Sequence, residues 1–161
     1  MIKHPFEALF DKNSKILILG SFPSVKSREN NFFYGHPQNR FWKVISFVVG
    51  DETPVSIKAK KSLLLKNGIA LWDVIAICDI EGSSDASITN VVPNDLSVIL
   101  NVAKIQKIFC NGIKSYELYQ KYFSGKYNIK AVKLPSTSPA NAMWNLEKLC
   151  REWKKQIGLF N

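Results

Sequence analysis

The chain is expected to be an α/β protein, a three-layer α/β/α sandwich around a central four-stranded, mainly parallel sheet. Two observations predict it. Four short apolar runs, residues 15–19, 69–72, 107–110 and 130–134, alternate with segments whose apolar residues recur at helical spacing, the order that parallel strands with crossover helices require. Each run is also followed by polar or turn-rich chain, at 20–34, 73–85, Asn111-Gly112 and 135–140. In a parallel sheet the carboxyl ends of the strands share one edge, where open α/β sheets bind ligands, so a single cleft should gather all four segments.

From the N-terminus, residues 5–10 read as a short helical piece closed by turn residues at 11–14. The first strand then runs into the stretch 20–42. Ordinary strand-to-helix connections take roughly 2 to 6 residues, and much longer ones tend to be functional. Gly20, Ser21, Pro23, Ser24 and Ser27 shape its backbone, Lys26, Arg28 and Arg40 can meet phosphate, and Phe32, Phe33 and Tyr34 offer flat faces. That mixture suits a nucleotide. Pro37 occupies a favoured first helical position, and Phe41, Val44, Ile45 and Val48 keep helical spacing until Gly50. Gln38, Asn39 and Arg40 therefore fall in or beside a first turn, where unpaired N–H groups and the positive end of the helix dipole favour a polar reactant or phosphate.

Residues 54–66 read as a second helix, basic at Lys58, Lys60, Lys61 and Lys66 and closed by Asn67-Gly68. A loop rich in Gly and Ser spans 79–85, and a third helix starts from a cap at Asn94 or Asp95 and runs to about 103. Another covers 113–123, and Pro135-Ser-Thr-Ser-Pro139 bends the chain after the fourth strand. The last helix, 141–157, sets Leu146, Leu149, Cys150, Trp153 and Ile157 on one face and Lys148, Arg151 and Lys155 on another. That basic row is either a solvated surface or one that faces DNA.

Composition narrows the function. A chain of 161 residues, 46% hydrophobic, is expected to form one domain over 1–161. A net charge of +9 favours a polyanionic partner. No apolar run is long enough for a membrane span and the N-terminus lacks a signal-peptide core, so a cytoplasmic protein with no membrane partner is expected. Cys78, Cys110 and Cys150 are odd in number and widely spaced, which supports neither a disulfide framework nor a zinc ribbon and cannot supply the four ligands of an iron–sulfur cluster. No metal, cofactor or cluster is expected, and the protein is expected to be a monomer.

The segment Gly20 to Trp42, with its core His36-Pro-Gln-Asn-Arg-Phe-Trp42, and the segment Leu134-Pro-Ser-Thr-Ser-Pro-Ala-Asn-Ala142 resemble the two signature motifs of the uracil-DNA glycosylase superfamily. They are most similar to its hypoxanthine-DNA (deoxyinosine) glycosylase branch. Leu71-Trp-Asp-Val74, Gly82-Ser-Ser-Asp85 and Pro93-Asn-Asp95 look like that branch too, so the likeness covers about 16–153. One departure from the wider superfamily is informative. Where mismatch-specific relatives carry Asn and uracil-specific ones often an acid, to hold the attacking water, this chain has Phe22. A phenyl ring cannot hold water, and the branch resembled assigns that work to the position of Asn39.

The resemblance implies a base-excision repair enzyme that flips a deaminated base out of DNA and hydrolyses its N-glycosidic bond. The reaction needs a held water, an electrophile for the departing base and a means of extruding the nucleotide. The expected catalytic residues are Asn39, which positions water by accepting its hydrogen bond, and His36, which donates to the leaving base or a phosphate; Asn39 can also be read simply as a helix cap. Base recognition falls to Asp73 accepting from N1–H, to the backbone N–H of Ser21 or Phe22, to stacking by Phe22 or Phe33, and to Asn111. Asp73 has the alternative of capping a helix or pairing with a Lys, and Phe33 that of packing in the core. DNA contacts are expected from Ser24, Lys26 and Arg40 and from Ser136, Thr137, Ser138, Pro139, Ala140 and Asn141, the hydroxyls meeting phosphates and the apolar residues, with Met143, filling the vacated stack. Uracil or xanthine as the target base, or a non-catalytic DNA-binding module, are the rival readings.

Overall fold

A computed structural model describes residues 1–158. The four apolar runs form the central sheet as expected: β2 (Ile16–Gly20), β3 (Ile69–Asp73), β6 (Lys107–Asn111) and β7 (Ala131–Leu134), all parallel in the order β3-β2-β6-β7. β2 and β3 are buried along their whole length, the signature of strands covered on both faces. Helices complete the three-layer α/β arrangement: α2 (Phe41–Val49) packs on α6 (Leu146–Ile157), α3 (Ile57–Lys66) on β3, and α5 (Ile113–Phe123) on β6 and β7.

A second, antiparallel sheet was not legible in the pattern. β1 (Ile2–Lys3), β4 (Ile75–Asp79) and β5 (Thr89–Pro93) pair in the order β1-β4-β5. β5 escapes a periodicity search because register shifts interrupt its pairing and Asn90 adopts a positive φ of 53°. The N-terminal piece expected to be helical is instead extended chain. Leu9 exchanges both backbone hydrogen bonds with Leu71 at 2.9 Å, so these residues cover the open edge of β3.

Helix boundaries also moved, each for a tertiary reason. The helix expected from Pro37 begins at Phe41, because the backbone N–H of Arg40 is taken by Thr137 O (3.1 Å) and Asn39 N–H closes a turn on His36 O (3.0 Å). α3 begins after its cap Ser56, whose hydroxyl accepts from Ala59 N–H, and α4 (Ser97–Leu100) is only one turn long. α6 begins after its cap Asn145, since residues 141–144 are drawn into the preceding loop; Leu146 is therefore 38% exposed, while Leu149, Cys150, Trp153 and Ile157 are buried. The long connection 20–42 contains an unforeseen helix, α1 (Val25–Asn30), capped by the Ser24 hydroxyl and ended by Asn31 in the left-handed region. Cys78, Cys110 and Cys150 are buried and unpaired. Among the described residues no helix is long and apolar enough to cross a membrane, and none group as His, Cys, Asp and Glu must to hold a metal.

Candidate active site

The carboxyl ends of the parallel strands open into a cavity of about 290 Å³. Gly20 and Asp73 are register partners at the ends of β2 and β3, and Asn111 faces Leu134 at the ends of β6 and β7, so the sheet sets the floor. Ser21, Phe22, Ser24, Phe33, His36, Asn39, Asp73, Asn111 and residues 136–140 all line this space. Lys26, Arg40 and Asn141 do not.

One wall is a chain of amides and a hydroxyl. Asn39 Oδ1 accepts from Phe41 N–H and from the Thr137 hydroxyl, both at 2.9 Å. Thr137 Oγ1 in turn accepts from Asn111 Nδ2, and Thr137 N–H donates to Asn111 Oδ1, both at 3.0 Å. The Phe41 N–H can only donate, which fixes the Asn39 oxygen on that side. Both carbonyl lone pairs are therefore occupied, and Nδ2, which makes no hydrogen bond among the described residues, is the end left for the cavity. This reverses the expected orientation, in which the oxygen met the water.

Thr137 is 0% exposed, so its hydroxyl joins the two motifs instead of meeting a phosphate. Arg40 does the same work from behind. Its guanidinium donates to the carbonyls of Thr137 (3.3 Å), Ser138 (2.7 Å), Asn141 (3.2 Å) and Trp144, using four of its five N–H groups on protein instead of on DNA. Asn141 Nδ2 donates to Ser136 O (3.0 Å) and Trp153 Nε1 to Pro135 O (2.9 Å), so the loop is held on every side. Ser136 and Ser138 hydroxyls accept from the N–H groups of Ser138 and Ala140, Pro139 and Ala140 stand exposed in the cavity lining, and Met143 is exposed outside it.

The opposite wall is aromatic and acidic. Asp73 is buried, and its Oδ2 takes a 2.7 Å hydrogen bond from Nε2 of His4, a residue with no expected role; the two side chains are 5% and 4% exposed. His4 Nδ1 accepts a long contact from Phe6 N–H (3.4 Å), which puts the imidazole proton on Nε2, facing the carboxylate. Edge contacts with Phe6 and Phe22 hold the ring. Phe33 is 2% exposed and packs on Phe6 and Phe32, so most of its surface belongs to the core.

Gly20 is bare for a reason: a Cβ there would lie 2.4 Å from Asp73 Oδ1 and 2.9 Å from Tyr34 Oη. Tyr34 has a φ of 52°, a conformation that costs a non-glycine residue about 1–2 kcal/mol, and stacks on Phe41 at 4.1 Å. Burial and then the negative charge of Asp73 push its hydroxyl pKa up; the nearby Asn111 amide opposes this without closing a hydrogen bond.

Asp85 completes the rim. The residue is exposed overall and lines the cleft, and its carboxylate accepts from Ser21 Oγ at 2.9 Å. Desolvation raises its pKa, against the Ser21 hydrogen bond and Lys114. His36 Nδ1 accepts from Gln38 N–H (3.1 Å), leaving Nε2 at the mouth. Ser24 is spent capping α1, and Lys26 pairs with Glu29 (3.4 Å) outside the cavity. Sequence reasoning missed His4, since a lone His near a terminus carries no local signal, and took Tyr34 only as one aromatic among several.

A parallel sheet whose carboxyl edge holds a fixed amide, a buried carboxylate and a hydroxyl-rich loop is the layout of an α/β protein with a polar ligand site. Comparison with known proteins specifies it further. A profile of the Uracil DNA glycosylase superfamily matches residues 7–157, and the chain belongs to that superfamily. It is 38% identical over 157 residues, 96% of this chain and 97% of the relative, to a Hypoxanthine DNA glycosylase of Methanosarcina acetivorans. A Hypoxanthine DNA glycosylase of Methanosarcina barkeri is 34% identical over 119 residues, 73% of this chain and 75% of that one. Among solved structures, the solution NMR structure of a candidate uracil DNA glycosylase from M. acetivorans matches with a TM-score of 0.82 and 35% identity over 96% of both chains.

Proposed function

We propose that this protein is a monofunctional DNA glycosylase that extrudes a deaminated base from DNA, hypoxanthine foremost, and hydrolyses its bond to deoxyribose to leave an abasic site. The observation that carries the reading is the doubly anchored Asn39 amide, which presents its N–H groups to the same small cavity that holds the Asp73 carboxylate. The names of the relatives support hypoxanthine as the base. The net charge of +9 suits DNA.

The chemistry follows from the two walls. Asn39 has negligible basicity, so it works by position: Nδ2–H donates to a water and leaves another lone pair free to meet the sugar carbon as the glycosidic bond loosens. Orientation of this kind can supply much of the barrier reduction when the sugar is already cation-like. Asp85 is the carboxylate at the rim that can take the proton released from water, and His36 Nε2 can donate to a flanking phosphate. Asp73 accepts from N1–H of the base. Deamination turns a ring nitrogen acceptor into an N–H donor, so a carboxylate discriminates against adenine, whose N1 lone pair it repels. The same logic admits xanthine and uracil. Ser136 and Ser138 approach the phosphates, and Pro139, Ala140 and Met143 fill the vacated stack. No Lys lines the cavity among the described residues, which favours water over an amine nucleophile. The proposed enzyme is a monomer that acts in the cytoplasm.

The test is excision from duplexes carrying a single inosine, xanthine or uracil, followed by alkali. Strand breaks are expected only after alkali, fastest for inosine. Asn39→Ala should lower the rate by about 100-fold or more while DNA binding persists. Absence of abasic product from all three duplexes would reduce the protein to a binding module.

A further inference from the structure

Among the described residues that line the cavity, Tyr34 alone carries a fully buried polar side-chain atom without a partner. Its hydroxyl is buried yet makes no hydrogen bond among the described residues, although nearly every other polar side chain of the site is engaged. A buried hydroxyl normally finds a partner, and one that does not invites a ligand. The residue is also held in a left-handed backbone conformation, at a φ of 52°, where strain in folded proteins gathers at functional positions. Its neighbour is the cavity-side oxygen of Asp73, and both atoms come within 3 Å of one point, the place a Cβ on Gly20 would occupy, at 2.9 and 2.4 Å. Asp73 cannot turn its other oxygen inward, because His4 holds it.

The floor thus presents a carboxylate acceptor beside a hydroxyl donor, a few ångströms apart. A cis-lactam, the –NH–C(=O)– edge that deamination creates, carries the complementary pair. We propose that Tyr34 is a catalytic residue whose hydroxyl donates to the exocyclic oxygen of the base while Asp73 accepts from the adjacent ring N–H. The inference rests on the glycosylase reading above. It adds an electrophile that the mechanism otherwise lacks: negative charge on the departing base collects on that oxygen, and a donor fixed in a dry site stabilises it most as the bond breaks. The phenol is suited to this because burial keeps it protonated. Adenine fails at both atoms, presenting an acceptor to the carboxylate and an amine donor to the hydroxyl.

Tyr34→Phe removes the hydroxyl and keeps the ring that stacks on Phe41. Single-turnover excision of hypoxanthine should fall about 10- to 100-fold, the usual consequence of losing a hydrogen bond to a charged group, with binding to a duplex containing an abasic-site analogue unchanged. The decisive comparison uses 6-thiohypoxanthine, which keeps N1–H but offers sulfur, a poor acceptor, in place of oxygen. The variant should lose little on this base, so that the oxygen-over-sulfur preference of the natural protein largely disappears. An equal loss on both bases would mark Tyr34 as a packing residue and overturn the proposal, as would no loss on either. Were the natural protein inert on hypoxanthine, xanthine and uracil alike, the glycosylase reading itself would fall, and this inference with it.

Discussion

The two walls of the cleft are built on opposite principles. On the Asn39–Thr137–Asn111 side the hydroxyl, both side-chain carbonyl oxygens and the Thr137 N–H have partners inside the protein, and Arg40 braces the loop from behind. On the Asp73–Tyr34 side a carboxylate is satisfied at one oxygen only and a hydroxyl not at all. A saturated network has one arrangement and so can hold a reactant in place. An unsaturated surface has bonds still to make, and the ligand that completes them is selected. The first wall sets geometry and the second sets specificity.

Breaking the saturated wall should have the largest effect. Thr137→Val keeps the shape but takes from the Asn39 oxygen one of its two donors and leaves the Asn111 Nδ2 without its acceptor, the latter at a cost of about 1–3 kcal/mol. Held by one anchor instead of two, Asn39 can shift, and excision should fall by up to roughly 100-fold, the penalty of a misplacement of about 1 Å. Denaturant melts and single-turnover rates would check both; a stable variant with undiminished activity would mean that the network does not hold Asn39.

A smaller effect is expected behind the reading wall. His4→Ala removes the donor to a buried carboxylate oxygen, worth about 1.5–3 kcal/mol, and should lower the melting temperature by roughly 4–10 °C. His4→Gln, which can still donate, should recover part of the loss. If the pair only stabilises the fold, the preference for hypoxanthine over adenine will survive in both variants. If it orients Asp73, that preference will narrow in His4→Ala and return in His4→Gln.

The mildest prediction concerns pH. Desolvation raises the Asp85 pKa above its unfolded value, so folding penalises the ionised carboxylate. That penalty is absent below the unfolded carboxylate pKa of about 3.9 and fully present once the pH exceeds the folded value. Asp85→Asn should therefore melt slightly higher than the natural protein at neutral pH, and the difference should vanish as the pH is lowered. Melting curves from pH 3 to 8 would test it; an offset independent of pH would locate the effect in the Ser21 hydrogen bond.

Local chemistry made much of this legible. The four apolar runs appear as the four parallel strands because burial on both faces demands continuous apolar sequence, and the loops after them meet because parallel strands end on one edge. The stretch around Asn39 stood out by its length and composition and the loop around Thr137 by its turn residues, while the roles expected of them came from the resemblance to the glycosylase motifs. What the sequence by itself determined was therefore the four parallel strands, the helices between them and the edge they open onto. Tertiary structure alone decided which way each polar group points. Arg40 turned from phosphate to carbonyls, Asn39 presented nitrogen in place of oxygen, and His4 crossed 69 positions to reach Asp73. A hydrogen bond depends on ångströms and angles between atoms distant in the chain, and no local pattern of residue types carries that information.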